Sequence, residues 1–162
     1  MIKCKSHEHS ISKVTLAIGG CAKVKKCPFM VIEMDQNGNY KHYCLIDCDG
    51  AGLFTSKVEN SEWQKINIDL SIAKLTNIDH PFEFNRPDAY IEMLMVRKND
   101  SILIKGHVSD LPGELERVIS RMSLLRKRIK LVSDIRIENR VFDLSIPTYN
   151  YYTLSYPVDD NK

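Results

Sequence analysis

The sequence has no long hydrophobic run, because nowhere do about 18 apolar residues follow one another as a membrane-spanning helix requires. The first nine residues also lack the apolar core of a secretory signal peptide. We therefore expect no membrane partner and a cytoplasmic location, in the producing cell or in a host cell.

Cysteine spacings typical of structural zinc sites are missing. Cys21 and Cys27 lie too far apart for a zinc knuckle, and Cys44 and Cys48 flank the end of a predicted strand. The total of five cysteines fits no closed set of disulfides. We expect reduced thiols, as is usual in cytoplasm, and no bound metal.

Signatures of cofactor binding and catalysis are missing too. The chain contains no G-x-x-x-x-G-K-[ST] loop, no G-x-G-x-x-G turn and no G-x-S-x-G elbow. We expect no cofactor. An enzyme stays an alternative, because a cysteine and a distant histidine can meet in space without any local motif.

Charge of one sign is not in excess. The 23 basic and 21 acidic residues leave a formal net charge of +2, which by itself demands no polyanionic partner. The 162 residues and 43% hydrophobic content are typical of one globular domain. We expect a single domain over 1–162, with a flexible N-terminus at 1–10 and a tyrosine-rich C-terminal arm at 147–162.

Strands dominate the pattern. Apolar, β-branched runs predict strands at 12–18, 28–35, 40–47 and 53–58, and the Asn37-Gly38 pair predicts a tight hairpin between the second and third. The later runs at 89–97 and 101–108 predict a second hairpin, and further strands are expected at 135–137 and 141–146.

The most regular alternation in the chain begins after Trp63. Ile66, Ile68, Leu70 and Ile72 alternate with polar residues, and this period of two predicts a strand with one solvated face.

One helix is predicted, over 111–132, with Asp110 as its N-cap. Apolar residues recur along it at spacings of three and four and predict one buried stripe. The stripe consists of Leu115, Val118, Ile119, Met122, Leu125, Ile129 and Val132. Because strands precede and follow this helix without alternating with helices, we expect an α+β fold: a twisted antiparallel sheet, or an open β-barrel or sandwich, with one long amphipathic helix near the C-terminal end.

Three features are candidates for binding a partner: two phenylalanines in the loop 77–88, the basic side of the helix, and the C-terminal tyrosines. The candidate residues are Phe82, Phe84, Arg117, Arg121, Arg126, Arg128, Tyr149, Tyr151, Tyr152 and Tyr156. Each feature also has a structural alternative: a lid folded over the core, a solvated helix face, and an arm packed on its own domain.

We hypothesise a non-catalytic protein-interaction module, such as a small inhibitor, immunity-type protein, adaptor or host-factor antagonist. The first alternative is a nucleic-acid-binding domain that uses the basic end of the helix. The second is an enzyme whose site is not visible in the sequence.

Overall fold

A computed structural model describes residues 10–19, 29–46, 52–83 and 86–134, together with Phe142 and Leu144. These residues form eight strands and two α-helices, with a short 3-10 helix at Val108–Asp110. In chain order the elements are β1 (Ile11–Gly19), β2 (Phe29–Asp35), β3 (Asn39–Ile46), β4 (Gly52–Lys57), α1 (Asn60–Ile72), β5 (Ile78–Asp79), β6 (Tyr90–Arg97), β7 (Ser101–His107), α2 (Gly113–Leu125) and β8 (Val132–Ser133).

All eight strands belong to one sheet, in the order β5-β7-β6-β1-β2-β3-β4-β8. Every neighbouring pair is antiparallel except β5 and β7, which are parallel. Leu16 lies near the centre, opposite Ile32 of β2 on one side and Met93 of β6 on the other. The predicted α+β class and antiparallel sheet are confirmed, whereas a sheet order with two ends gives no support for a barrel or sandwich.

The hairpin predicted at Asn37-Gly38 is present between β2 and β3. Gly38 has a φ of 76°, and a Cβ there would lie 2.6 Å from the carbonyl oxygen of Val58. The Asp35 carboxylate accepts hydrogen bonds from the backbone N–H groups of Asn37 and Asn39, at 2.9 and 3.0 Å. Glycine and an Asx-type turn therefore fix this hairpin together. The second predicted hairpin is present as β6 and β7.

The predicted strand after Trp63 is wrong, because this segment forms α1. Trp63, Ile66 and Leu70 are buried at helical spacings, whereas Ile68 and Ile72 are 58% and 59% exposed. The sequence alternates only because the helical stripe and two exposed isoleucines happen to interleave. Burial against the sheet decided the outcome, not the local pattern.

The prediction of one long helix over 111–132 is also wrong, because α2 ends at Leu125. Its N-cap is Pro112 and not Asp110, whose carboxylate instead receives a hydrogen bond from Arg86 at 2.9 Å. Val132, predicted on the buried stripe, is 57% exposed and pairs with Thr55 of β4. Pairing with the edge of the sheet therefore replaces the last predicted turns of helix.

Both helices pack on the same face of the sheet and share one hydrophobic core with it. Members of this core include Val14, Leu16, Met30, Ile32, Ile91, Met93, Trp63, Ile66, Leu115, Val118 and Met122. Arg121 lies near Asp69 late in α1, and Arg128 lies near Glu62 in its first turn, so the two helices run in opposite directions.

The other face of the sheet carries a smaller cluster in which Leu144 is buried and Phe142 is partly buried. The ammonium group of Lys41 lies 4.5 Å from the centre of the Phe142 ring. Apart from these two residues, the strands predicted at 135–137 and 141–146 lie outside the described residues. Neither helix that the structure describes is long and apolar enough to span a membrane.

Candidate functional site

Phe82 is half-buried and packs back onto the end of the sheet. Its ring stacks on His107 and meets Tyr90 edge to face, with centroids 5.5 Å apart in each case. This position favours the lid alternative over an exposed, partner-binding side chain. Phe84 lies outside the described residues.

His107, Asp88 and Ser109 lie together beneath this loop, and these three residue types also form hydrolytic triads. Here the Ser109 hydroxyl donates to the Asp88 carboxylate at 2.7 Å and makes no hydrogen bond to the histidine. His107 Nε2 accepts from the backbone N–H of Glu83 at 3.0 Å. Among the described residues this group contains no serine–histidine hydrogen bond, and its contacts hold the loop in place.

The Asp88 carboxylate is held in its charged form. Burial opposes ionisation, but hydrogen bonds from the Ser109 backbone and hydroxyl and the charge of Arg86 lower its pKa to about 2. Arg86 also donates to Ser109 at 2.6 Å. This network joins the loop before β6 to the turn after β7.

The basic residues of α2 lie in two different environments. Arg117 and Arg121 face α1, where both meet the largely buried carboxylate of Asp69. Arg121 donates to Asp69 Oδ2 from Nε at 3.4 Å and from Nη2 at 3.3 Å. Just beyond the helix, Arg128 donates to Glu62 at 3.3 Å. These arginines therefore also bridge the two helices.

Glu62 is a strong acceptor for this bridge. The hydrogen bond from Lys65 is the main cause that lowers the pKa of its carboxyl. Burial raises this pKa in part, and the charge of Arg128 lowers it further. A carboxylate that stays ionised keeps the Arg128 guanidinium oriented.

Arg126 points elsewhere. It is half-buried, and its positive charge acts on Tyr40 and His42 of β3. Arg126 and Arg128, both predicted as partner-binding residues, therefore lie in different environments. The side chain of Arg126 faces the sheet, close enough to Tyr40 and His42 for its charge to act on them.

His42 is fully buried, and within the described residues neither ring nitrogen has a hydrogen-bond partner. Burial lowers the pKa of His42 to about 4, and the charge of Arg126 lowers it too. The neighbouring Tyr40 hydroxyl is likewise buried and unpartnered, and burial raises its pKa.

An open groove runs along the outer side of α2, with a volume of about 710 Å³. We call it the α2 groove, and its lining residues are Gly113, Glu116, Arg117, Ser120, Arg121, Leu124, Lys127 and Arg128. Leu124 is 51% exposed and is the large apolar side chain among these lining residues. Sequence reasoning missed Leu124, although its position outside the apolar stripe was the available signal.

The cysteines differ from the expectation of reduced thiols at one position, because Cys44 is disulfide-bonded. The other four cysteines lie outside the described residues. Disulfides are rare in the cytoplasm, so this bond weighs against the predicted compartment, which stays a prediction. Across the described ranges, no three His, Cys, Asp or Glu side chains are arranged to hold a metal ion.

The tyrosines Tyr149, Tyr151, Tyr152 and Tyr156 also lie outside the described residues. The chain matches no protein-family model, and no curated protein shows significant similarity to it. The α2 groove brings together three of the predicted partner-binding residues, Arg117, Arg121 and Arg128.

Proposed function

We propose that this protein is a non-catalytic interaction module that binds an acidic protein surface through the α2 groove. The observation that carries this proposal is the exposed Leu124 surrounded by Arg117, Arg121, Lys127 and Arg128. An apolar centre with a charged rim is the usual anatomy of a protein interface.

Leu124 supplies the apolar part of the binding free energy. Half of its side chain is in water, and covering it would remove that area from solvent, which contributes roughly 25 cal/mol per Å². Because this gain requires an apolar group on the partner, a purely ionic ligand would leave it unused.

The arginines supply orientation. Arg121 is held at two nitrogens by Asp69, and Arg128 at one by Glu62. Side chains that are already ordered lose less conformational entropy on binding than free ones. Each guanidinium carries five N–H donors, so the donors not used by α1 stay available to carboxylates of a partner.

The same ion pairs favour a protein partner over nucleic acid. A phosphate backbone is bound through cations that release its condensed counterions. Here Asp69 and Glu62 already offset part of the charge of the arginines, and Glu116 lines the groove itself. A discrete set of carboxylates around one apolar side chain matches this surface better than a uniform line of phosphates.

The test is an affinity capture from the native source with three baits: the wild-type protein, Leu124→Glu and Ile72→Glu. Ile72 is the matched control, because it is a comparably exposed isoleucine on α1 that does not line the α2 groove. Half of each extract is treated with nuclease. A captured protein is then purified and titrated against the wild-type protein.

We expect a protein that binds the wild type and Ile72→Glu, is lost with Leu124→Glu, and is insensitive to nuclease. A captured set that is identical for all three baits would refute the proposal. Capture that disappears on nuclease treatment would favour the nucleic-acid alternative instead.

A further inference from the structure

A second groove lies on α1, on the side away from the ion pairs with α2, and has a volume of about 600 Å³. We call it the α1 groove. Its apolar walls include Ile68 and Leu70 of α1, Leu75 just after the helix, and Ile11 at the start of β1. A groove of this size is typical of sites for small organic ligands.

Arg97 is the only cation among the described residues that line this groove. It ends β6 opposite Ile11, and it shares the face of Met93 and Met95, which lies under the helices. The Arg97 side chain is only 16% exposed, so most of it is removed from water.

The hydrogen-bonding capacity of Arg97 is largely unused. Its Nε is buried, and no described residue accepts a hydrogen bond from it. Its ion pair, from Nη1 to the Asp100 carboxylate, spans 3.6 Å, and the Asp100 side chain is 60% exposed. A guanidinium cannot release its proton at ordinary pH, so a buried one is stabilised only by an anion or by acceptors.

Helix α1 does not supply those acceptors. Within the described part of the chain, the Arg97 side chain donates no hydrogen bond to a carbonyl at the end of α1 or elsewhere. The groove therefore combines a poorly satisfied cation with apolar walls, and Asn67 and Gln64 add polar side chains along its rim.

We propose that the α1 groove binds a monocarboxylate with a short apolar chain, the carboxylate pairing with Arg97 and the chain lying against Ile68 and Leu75. One cation matches one carboxylate, and a planar guanidinium binds a carboxylate through two parallel hydrogen bonds. A phosphate carries more negative charge than a single arginine offsets, and it has no apolar group that could pack against the walls of the groove. This site is independent of the α2 groove.

Octanoate is the probe, and octanamide of the same chain length but without charge is its control. Each is titrated into the ¹⁵N-labelled protein while amide resonances are followed. We expect saturable octanoate binding with a Kd of about 1 mM or tighter, with shifts centred on Ile68, Ala73 and Arg97. Octanamide should bind at least about tenfold more weakly, because it lacks the charge-assisted pair.

Three variants test the residues. Arg97→Met should weaken octanoate binding at least about tenfold and leave octanamide unchanged. Ile68→Trp should block both ligands by filling the groove without touching the cation, which keeps the proposal testable if Arg97→Met folds poorly. Ile72→Trp is the matched control, since Ile72 is as exposed as Ile68 but does not line the groove.

An acetylated tripeptide with a free C-terminal leucine also combines one carboxylate with an apolar side chain. Competition between this peptide and octanoate shows whether a peptide C-terminus or a fatty acid binds more tightly. Equal affinity for octanoate and octanamide, shifts centred away from the α1 groove, or no saturation at about 10 mM would each overturn the proposal.

Discussion

Asp69 of α1 accepts two hydrogen bonds on one carboxylate oxygen from Arg121 of α2, at 3.4 Å from Nε and 3.3 Å from Nη2. This contact joins the two helices where they cross the sheet side by side. It also fixes the orientation of one of the arginines that line the α2 groove.

We therefore expect Asp69→Ala to lower the free energy of unfolding by about 1–3 kcal/mol, because it leaves a half-buried guanidinium without its acceptor. Denaturant unfolding of Asp69→Ala, Arg121→Ala and the double variant gives the coupling energy between the two side chains. Glu114→Ala is the control, since its 3.9 Å contact with exposed Arg117 should contribute within about 0.5 kcal/mol. A coupling energy of zero would show that the contact does not join the helices.

Met122 lies at the centre of the buried side of α2 and is fully buried. Met122→Asp should unfold the protein or destabilise it by several kcal/mol, on the order of 3 or more, because it places an unpaired charge in the core. Ser120→Asp, on the exposed side of the same helix, should change stability by less than about 0.5 kcal/mol. Similar melting temperatures for the two variants would mean that the buried face is misassigned.

His42 makes stability depend on pH in a defined window. Its folded pKa of about 4 lies below the ordinary value of 6.5, so between these values the unfolded chain binds the proton and the folded protein does not. Stability should therefore fall as pH decreases from 6.5 to 4, by on the order of 3 kcal/mol from this group.

His42→Phe should remove that part of the pH dependence, as measured by denaturant unfolding from pH 7 to pH 4. The Asp88 carboxylate acts in a lower window, because its pKa falls from 3.8 to about 2. Its contribution is present above pH 3.8 and is lost as pH falls through 2. Identical pH profiles of His42→Phe and wild type down to pH 4 would contradict the assignment to His42.

Local sequence signals predicted the hairpins well. The turn requires a positive φ at Gly38 and a short polar side chain at position 35, and the sequence has glycine and aspartate at these positions. The apolar side of α2 was also predicted correctly from Leu115 to Leu125, because the residues at helical spacing are the buried ones there.

Long-range packing decided what the sequence did not predict. The apolar residues from Ile66 to Ile72 fit both the period of two of a strand and the spacing of three and four of a helix. They form a helix that buries Ile66 and Leu70. Val132 is not helical, because it pairs with Thr55 of strand β4. The pairing of Asp69 with Arg121 joins residues 52 positions apart, and no local motif reports it.

Nucleic acid should not bind this protein with micromolar affinity at physiological salt, because the arginines along α2 are paired with Asp69 and Glu62. Fluorescence anisotropy with mixed-sequence single- and double-stranded RNA and DNA measures this. Lys127→Glu with Arg128→Glu is the reversal to compare, because Arg126 faces the sheet. Saturable binding at low micromolar concentration that this pair of reversals weakens would promote the nucleic-acid alternative above the protein partner.

The central claim is that a protein partner covers Leu124, and the most direct measurement is a calorimetric titration of the captured, purified partner against three forms of this protein. We predict that Leu124→Glu binds at least about tenfold more weakly than wild type, since a charge would be buried against an apolar group, whereas Ile72→Glu binds within about twofold. Equal affinities for the wild type and Leu124→Glu would contradict the account.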